Sequence, residues 1–309
     1  MTQAVRPKVV RSRDWMWQGW QIRYAFMRPE CPGSDPPILF VHGFGASIGH
    51  WHKNLPYFAA RHTVYAIDLL GFGGSEKAAV PYNINLWVEQ VRAFWQTFIR
   101  RPMILVGNSI GSLVALAVAH TYPEMVQGVA MLSLPDPSVR EDMIPAWCRS
   151  VLSRIERAFT SAWFIKPLFY WVRRPQVVRP WVGLAYAKPD AIDEDLVTLL
   201  TTPARDRGAA QAFTHLLQAM IQPQFGPKVS AILPALNRPM LLLWGRQDRM
   251  VPPALAQTFA ALNPQIQLVE LDEAGHCPHH ECAEDVNAII ADWIQSQCSA
   301  ALSTQLQTL

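Results

Sequence analysis

The sequence predicts an α/β chain: a mostly parallel central sheet flanked by helices, with the alternation broken by a helical insertion. Three features point there. Short, near-continuous apolar runs recur at ILFVHG (Ile38 to Gly43), TVYAIDL (Thr63 to Leu69), MILVG (Met103 to Gly107), VAMLSL (Val129 to Leu134), MLLLWG (Met240 to Gly245) and QIQLVEL (Gln265 to Leu271). Runs of this kind suit strands covered on both faces. Helical patterns lie between them, and alternating strand and helix implies right-handed crossovers onto a parallel sheet. From about Pro135 to Leu236 the strand signal stops, and helix-period segments are separated instead by Pro167, Pro175, Pro180, Pro189 and Pro203.

In chain order, Trp15, Trp17, Trp20, Ile22 and Tyr24 alternate around Gln18-Gly19, which predicts an antiparallel hairpin. The Pro-rich turn CPGSDPP leads into the first central strand. Leu86, Trp87, Val91, Phe94, Trp95 and Phe98 mark one helix, and Leu113 to His120 another. After the last strand, Val286, Ile289, Ile290 and Trp293 mark a closing amphipathic helix, with a polar tail beyond Cys298 expected to be loosely ordered. The domain expectation is a core of residues 1–134 and 237–309, split around a helical cap of residues 135–236.

The chain has 309 residues, half of them hydrophobic, which suffices for one large core. A formal charge of +3, without clustered Lys and Arg, gives no reason to expect a nucleic-acid partner. Cys31, Cys148, Cys277, Cys282 and Cys298 are odd in number and scattered, which favours reduced thiols and a cytoplasmic-type compartment. The basic N-terminus lacks an apolar signal region, and no uncharged apolar stretch reaches the roughly 18 residues of a membrane helix.

The chemistry centres on LVGNSIGS, residues 105 to 112. Ser109 falls where an apolar strand gives way to a helix, bracketed by Gly107 and Gly111. A tight strand-to-helix turn strains its central residue and leaves the hydroxyl exposed, while the glycines keep side chains off the crossing backbones. A hydroxyl is a poor nucleophile at neutral pH and needs a base oriented by an acid. Asp248 follows the MLLLWG strand and His276 follows the next one, so acid and base lie on consecutive loops at the carboxyl ends of strands. Asp136 in LSLPDP also follows a strand and is the alternative acid; chain order favours Asp248. For the oxyanion hole, the backbone N–H of Ile110 and that of Phe44 in HGFGAS are the candidate donors.

The HGFG loop, DLLGFGGS (Asp68 to Ser75), the GNSIGS elbow, WGRQDRMVP and AGHCPHHE together resemble the α/β-hydrolase superfamily, in the branch of epoxide hydrolases, dehalogenases and C–C hydrolases. The resemblance implies an α/β-hydrolase fold with a cap, a Ser109–Asp248–His276 triad and no cofactor. DLLGFGGS is then mainly a structural turn. Serine at position 109 departs from the aspartate nucleophile of epoxide hydrolases and haloalkane dehalogenases, which argues against those two activities. More narrowly, the GNS elbow, HGFGAS with Trp51 following, and the hydrophobic cap are similar to pheophytinases and chlorophyll dephytylases. That likeness implies hydrolysis of the phytyl ester of a chlorophyll-type pigment.

In the expected cap, Trp147, Phe159, Trp163, Phe164, Phe169, Tyr170, Trp171 and Trp181 interleave with Arg149, Arg154, Arg157, Lys166, Arg173, Arg174 and Arg179. One reading is ordinary packing, since Ile144, Trp147, Val151, Ile155 and Phe159 recur at helical spacing. The other is a greasy lid over an apolar channel, with cations suited to peripheral membrane association. HCPHHEC (His276 to Cys282) is a weak metal pattern, because one histidine belongs to the triad and no distant ligand pair presents itself; no metal is expected, and His279 and His280 are assigned to a helix start or the surface. A lipid esterase, thioesterase, acyltransferase or C–C hydrolase would use the same parts, and a non-catalytic receptor is the competing class on this fold.

Overall fold

The computed structural model describes residues 11–31, 33, 35–138, 162–222 and 224–307. Strands β1 (Ser12–Trp17) and β2 (Trp20–Met27) form the expected hairpin, in register Trp17 to Trp20. Gln18 (φ 51°) and Gly19 (φ 87°) supply the two positive φ angles that a tight two-residue turn of matching twist requires.

The chain then alternates through β3 (Ile38–Val41), β4 (Val64–Ile67), α1 (Ile84–Phe94), β5 (Met103–Asn108), α2 (Ile110–Thr121) and β6 (Val126–Leu132). Described residues between β6 and the next strand form α3 (Ala162–Val172), α4 (Pro175–Ala185), α5 (Glu194–Thr201) and α6 (Ala209–Met220), with shorter helical turns and no strand. The sheet resumes with β7 (Met240–Gly245), α7 (Ala254–Ala260) and β8 (Ile266–Leu271), and ends in α8 (Pro278–Glu281) and α9 (Ala283–Gln307). The eight strands lie in the order β1-β2-β4-β3-β5-β6-β7-β8. All pairs from β4 through β8 are parallel, and only the hairpin edge is antiparallel.

Both faces of the sheet are covered at its centre, which explains why β3, β4 and β7 are apolar and buried at every position. Leu39, Val41, Leu105, Met131 and Leu242 face α1 and α2, where Trp87, Val91, Phe94 and Leu113 are buried. The alternate residues Phe40, Val106, Ala130, Leu132 and Leu243 pack on the other side with Trp51, Phe58, Val286, Ile290 and Trp293. A two-residue side-chain period divides one strand between two cores.

Two expectations need correction. Pro175, Pro189 and Pro203 do open helical segments, where a missing N–H removes nothing. Pro167 and Pro180 instead lie inside α3 and α4; burial of Ile165, Phe169 and Val182 on those helices outweighs the lost hydrogen bond. The tail is also more regular than expected, since α9 continues to Gln307. Trp147, Cys148, Arg149, Arg154, Arg157 and Phe159 lie outside the described residues.

Candidate active site

Ser109 sits between β5 and α2 with φ 54° and ψ −122°, a conformation that a non-glycine residue holds at a cost of about 1–3 kcal/mol. The surrounding backbone fixes it. Ser109 N–H donates to Leu132 O at 2.8 Å, and the Ser112 hydroxyl lies 2.8 Å from both Gly107 O and Leu132 O while accepting Leu132 N–H. A Cβ on Gly107 would meet Gly111 O at 2.3 Å, and one on Gly111 would meet Val41 O at 2.2 Å. Both glycines are therefore required by close backbone crossing, as the sequence predicts. The Ser109 side chain remains half-buried rather than sealed in the core.

Asp248 follows β7 and His276 follows β8, and the structure brings them together: His276 Nδ1 is 2.8 Å from Asp248 Oδ2. Both are buried. The other carboxylate oxygen of Asp248 accepts the N–H groups of Met250 (2.8 Å) and Val251 (2.9 Å), which locks its rotamer. A carboxylate can only accept, so Nδ1 is the protonated nitrogen in this contact, and in the neutral ring that leaves the lone pair on Nε2. Asp136, the alternative acid, folds back on its own turn and accepts from Ser138 N–H and the Ser138 hydroxyl.

The His276 loop is tied to the serine turn through the backbone, with Asn108 Nδ2 donating to His276 O at 2.9 Å. Asn108 joins the two loops, a tie that pattern reading missed. Its signal is its place between Gly107 and Ser109, where a polar side chain leaves the end of a buried strand.

The HGFG loop lies against the same turn. A Cβ on Gly43 would fall 3.3 Å from Ser109 Cβ, so glycine allows the loop to approach the serine. His42 Nε2 accepts the Leu69 N–H at 3.1 Å, which leaves Nδ1 as the donor to Gly43 O at 2.7 Å. Burial lowers the His42 pKa, and the nearby Asp68 partly opposes this, so the ring is a neutral brace for the loop. Asp68 accepts Ile48 N–H and Gly74 N–H at 2.6 Å each, which makes the DLLGFGGS segment a structural turn. Gly43 O accepts Ala46 N–H at 3.3 Å, closing a turn with Phe44 at its second position. Ile110 opens α2, so its N–H has no acceptor within the helix.

Above the turn, rings from both parts of the chain meet. Phe44 packs on Phe72 (centroids 5.4 Å apart) and on Phe213 of α6 (6.3 Å), and Phe213 packs on Phe169 of α3 (4.9 Å). The insertion thus supplies an apolar wall beside the HGFG loop.

Of the two alternatives for His279 and His280, the helix start holds and the surface does not: both lie in α8 and both are buried. His279 Nε2 is 3.2 Å from His50 Nδ1, and His50 Nε2 is 2.7 Å from the Tyr186 hydroxyl. Burial holds His50 and His279 well below the usual histidine range and lowers His280 to about 4, where Lys53 also contributes. Uncharged imidazoles can pack against Trp51, whose ring lies 4.1 Å from that of His279. Among the described residues, no group of three or more His, Cys, Asp or Glu side chains could hold a metal ion.

The sequence profile described as Alpha/beta hydrolase family matches residues 38–289. The chain belongs to the alpha/beta hydrolase family. Human Protein ABHD8 is 26% identical over 270 residues, covering 85% of this chain and 56% of that protein. The chloroplastic pheophytinase of Arabidopsis thaliana is 25% identical over 314 residues, covering 89% of this chain and 64% of that protein. The chain therefore spans between half and two thirds of these curated relatives. Among solved structures, a bacterial membrane phospholipase A aligns over 93% of this chain and 86% of its own, with a TM-score of 0.74 and 24% identity. The alpha/beta hydrolase fold, with its eight-stranded, mostly parallel sheet, follows from the family and the topology alike.

Proposed function

We propose that the protein is a serine hydrolase that cleaves a carboxylic ester of a large hydrophobic substrate, with the phytyl ester of a chlorophyll-type pigment as the specific assignment. The observations that carry the hydrolase reading are the strained Ser109 at the head of α2 and a buried His276–Asp248 pair whose His276 carbonyl is held by Asn108, the residue next to that serine. The His276 Nε2 lone pair takes the Ser109 Oγ proton as Oγ attacks the ester carbonyl carbon. The oxyanion that forms is held by the N–H groups of Ile110 and Phe44. The carbon–oxygen bond to the alcohol then breaks, and the alcohol leaves with the proton from Nε2. Water attacks the acyl-enzyme with His276 again as base, releasing the acid and restoring Ser109.

Residues 135–236 form the cap over this site in our reading, and the Phe44–Phe213–Phe169 wall lines the path of the alcohol or acyl chain. Burial of a long chain contributes about 0.8 kcal/mol per CH₂, so a phytyl tail needs few polar contacts. The likeness to pheophytinase supports the pigment assignment. Peripheral association with a photosynthetic membrane belongs to the same reading. Trp163, Trp171 and Trp181 are exposed on α3 and α4, which carry Lys166 and Arg179 and no acidic residue. Among the described residues no helix is long and apolar enough to cross a membrane.

The test is a panel of chlorophyll, pheophytin, lipid esters, thioesters and p-nitrophenyl esters of graded length. Release of phytol, with rates rising from acetyl to long-chain esters, is expected. A preference for acetyl esters with no phytol release would replace the assignment with a small-substrate hydrolase.

A further inference from the structure

His276 is gripped through its backbone from two sides. Its carbonyl accepts from Asn108 on the serine turn, and its N–H donates to Ala185 O at 2.7 Å, at the end of α4 in the helical insertion. The insertion and the His276 loop are in direct backbone contact. A Cβ on Gly275 would stand 2.5 Å from Ala185 O and 2.8 Å from Ala187 N.

One side chain bridges this junction. Glu281, on α8, accepts Gly275 N–H at 3.0 Å through Oε1. Through Oε2 it accepts Ala187 N–H at 2.6 Å and Lys188 N–H at 3.2 Å. One carboxylate oxygen thus serves the residue before His276, and the other serves the insertion. Burial pushes the Glu281 pKa up, against the pull of the N–H groups of Ala187, Lys188, Gly275 and Cys277. Between the two bonded segments, Tyr186 drives its ring into the core, with its hydroxyl 2.7 Å from His50 Nε2.

We infer that Glu281 is a positioning residue that makes docking of the insertion and registration of His276 a single event: when Ala185–Lys188 is seated, the loop carrying His276 is held in its working place. The imidazole rotamer is set by Asp248, but the loop that carries the ring is set by Ala185, Asn108 and Glu281. Loosening of the insertion therefore reaches the base directly through the backbone. The inference rests on the serine-hydrolase reading for the role of His276; the bridge itself does not.

Glu281→Ala removes both acceptors, and Glu281→Gln keeps the shape but turns one acceptor oxygen into a donor. For Glu281→Ala, kcat should fall about 10–100-fold, as for a misplaced catalytic group, with KM changed less than about twofold. The rate of fluorophosphonate acylation of Ser109 should fall by the same factor, with Glu281→Gln lying between Glu281→Ala and wild type. Amide hydrogen exchange supplies a readout that needs no catalysis: in Glu281→Gln, the amides of Ala187 and Lys188 and those of Gly275 and His276 should speed up together. Exchange that rises only in the insertion, or wild-type kcat and acylation in a folded Glu281→Ala protein, would overturn the inference. If Glu281→Ala does not fold, the Glu281→Gln comparison decides alone by the same criteria. Absence of acylation in the wild type would refute the hydrolase reading instead, while exchange would still judge the bridge.

Discussion

His276 Nδ1 and Asp248 Oδ2, carried by consecutive loops at one end of the sheet, stand 2.8 Å apart in a buried pair. Asp136 shares that end of the sheet but holds Ser138. Asp248→Asn should lower kcat by about 10⁴, because an amide facing Nδ1 favours the wrong ring tautomer. Asp136→Asn should leave kcat within about threefold, since it alters only a local turn. Ester kinetics on both variants check this, and loss confined to Asp136→Asn would transfer the acid role to that residue.

Gly111 has Val41 O and His42 O within 2.2 and 2.6 Å of where a Cβ would sit. Gly111→Ala should destabilise the fold by about 3 kcal/mol or more, because backbone cannot give way as a flexible side chain can. Gly183 lies inside α4 with nothing within 4 Å. Gly183→Ala should therefore be stabilising by about 0.5–1 kcal/mol. Urea unfolding of both variants measures the contrast, and similar midpoints would contradict it.

The aromatic wall predicts a chain-length effect. Phe213→Ala should lower kcat/KM on long-chain esters by about tenfold, within the 1–3 kcal/mol available to an apolar contact, and leave acetyl esters nearly unchanged. A uniform loss across chain lengths would place Phe213 outside the substrate path.

The buried histidines predict an acid limb in stability. His280 is lowered from 6.5 to about 4, mainly by burial, and burial lowers His50 and His279 as well. Below pH 6.5 the unfolded chain takes up protons that the folded chain refuses. Stability is thus complete above about pH 6.5 and falls towards pH 4, by up to about 1.4 kcal/mol per pH unit for each such histidine. Asp68 and Glu281, raised by burial, act in the opposite sense. The comparison is therefore made between proteins: Tm should drop less from pH 7 to pH 5 in His280→Gln than in wild type. An equal drop would contradict the assignment.

The strands and the residues at their ends were legible in the sequence because both kinds of signal are local. Ser109, Asp248 and His276 each lie within five residues of the end of a strand, and Gly107 answers to a backbone crossing within its own turn, although Gly111 crosses the distant Val41 and His42. What stayed hidden depends on contacts between distant segments. His279 and His280 are polar residues beside a proline, and nothing local shows that Trp51, His50 and Tyr186 will enclose them. Asn108 and Glu281 act on partners 168 and 94 residues away. Pro167 and Pro180 mislead for the same reason, since tertiary burial overrides a local helix-breaking rule.

The central claim is that Ser109 is a nucleophile activated by His276 and oriented by Asp248. The direct measurement is covalent labelling by a fluorophosphonate, followed by mass mapping of the modified peptide. The account predicts one adduct, on Ser109, in the wild type, labelling slowed by orders of magnitude in His276→Ala, and no adduct in a folded Ser109→Ala protein. Turnover of any accepted ester should fall by about 10⁶ in that last variant. No labelling of the wild type, or an adduct that persists in Ser109→Ala with ester turnover intact, would contradict it.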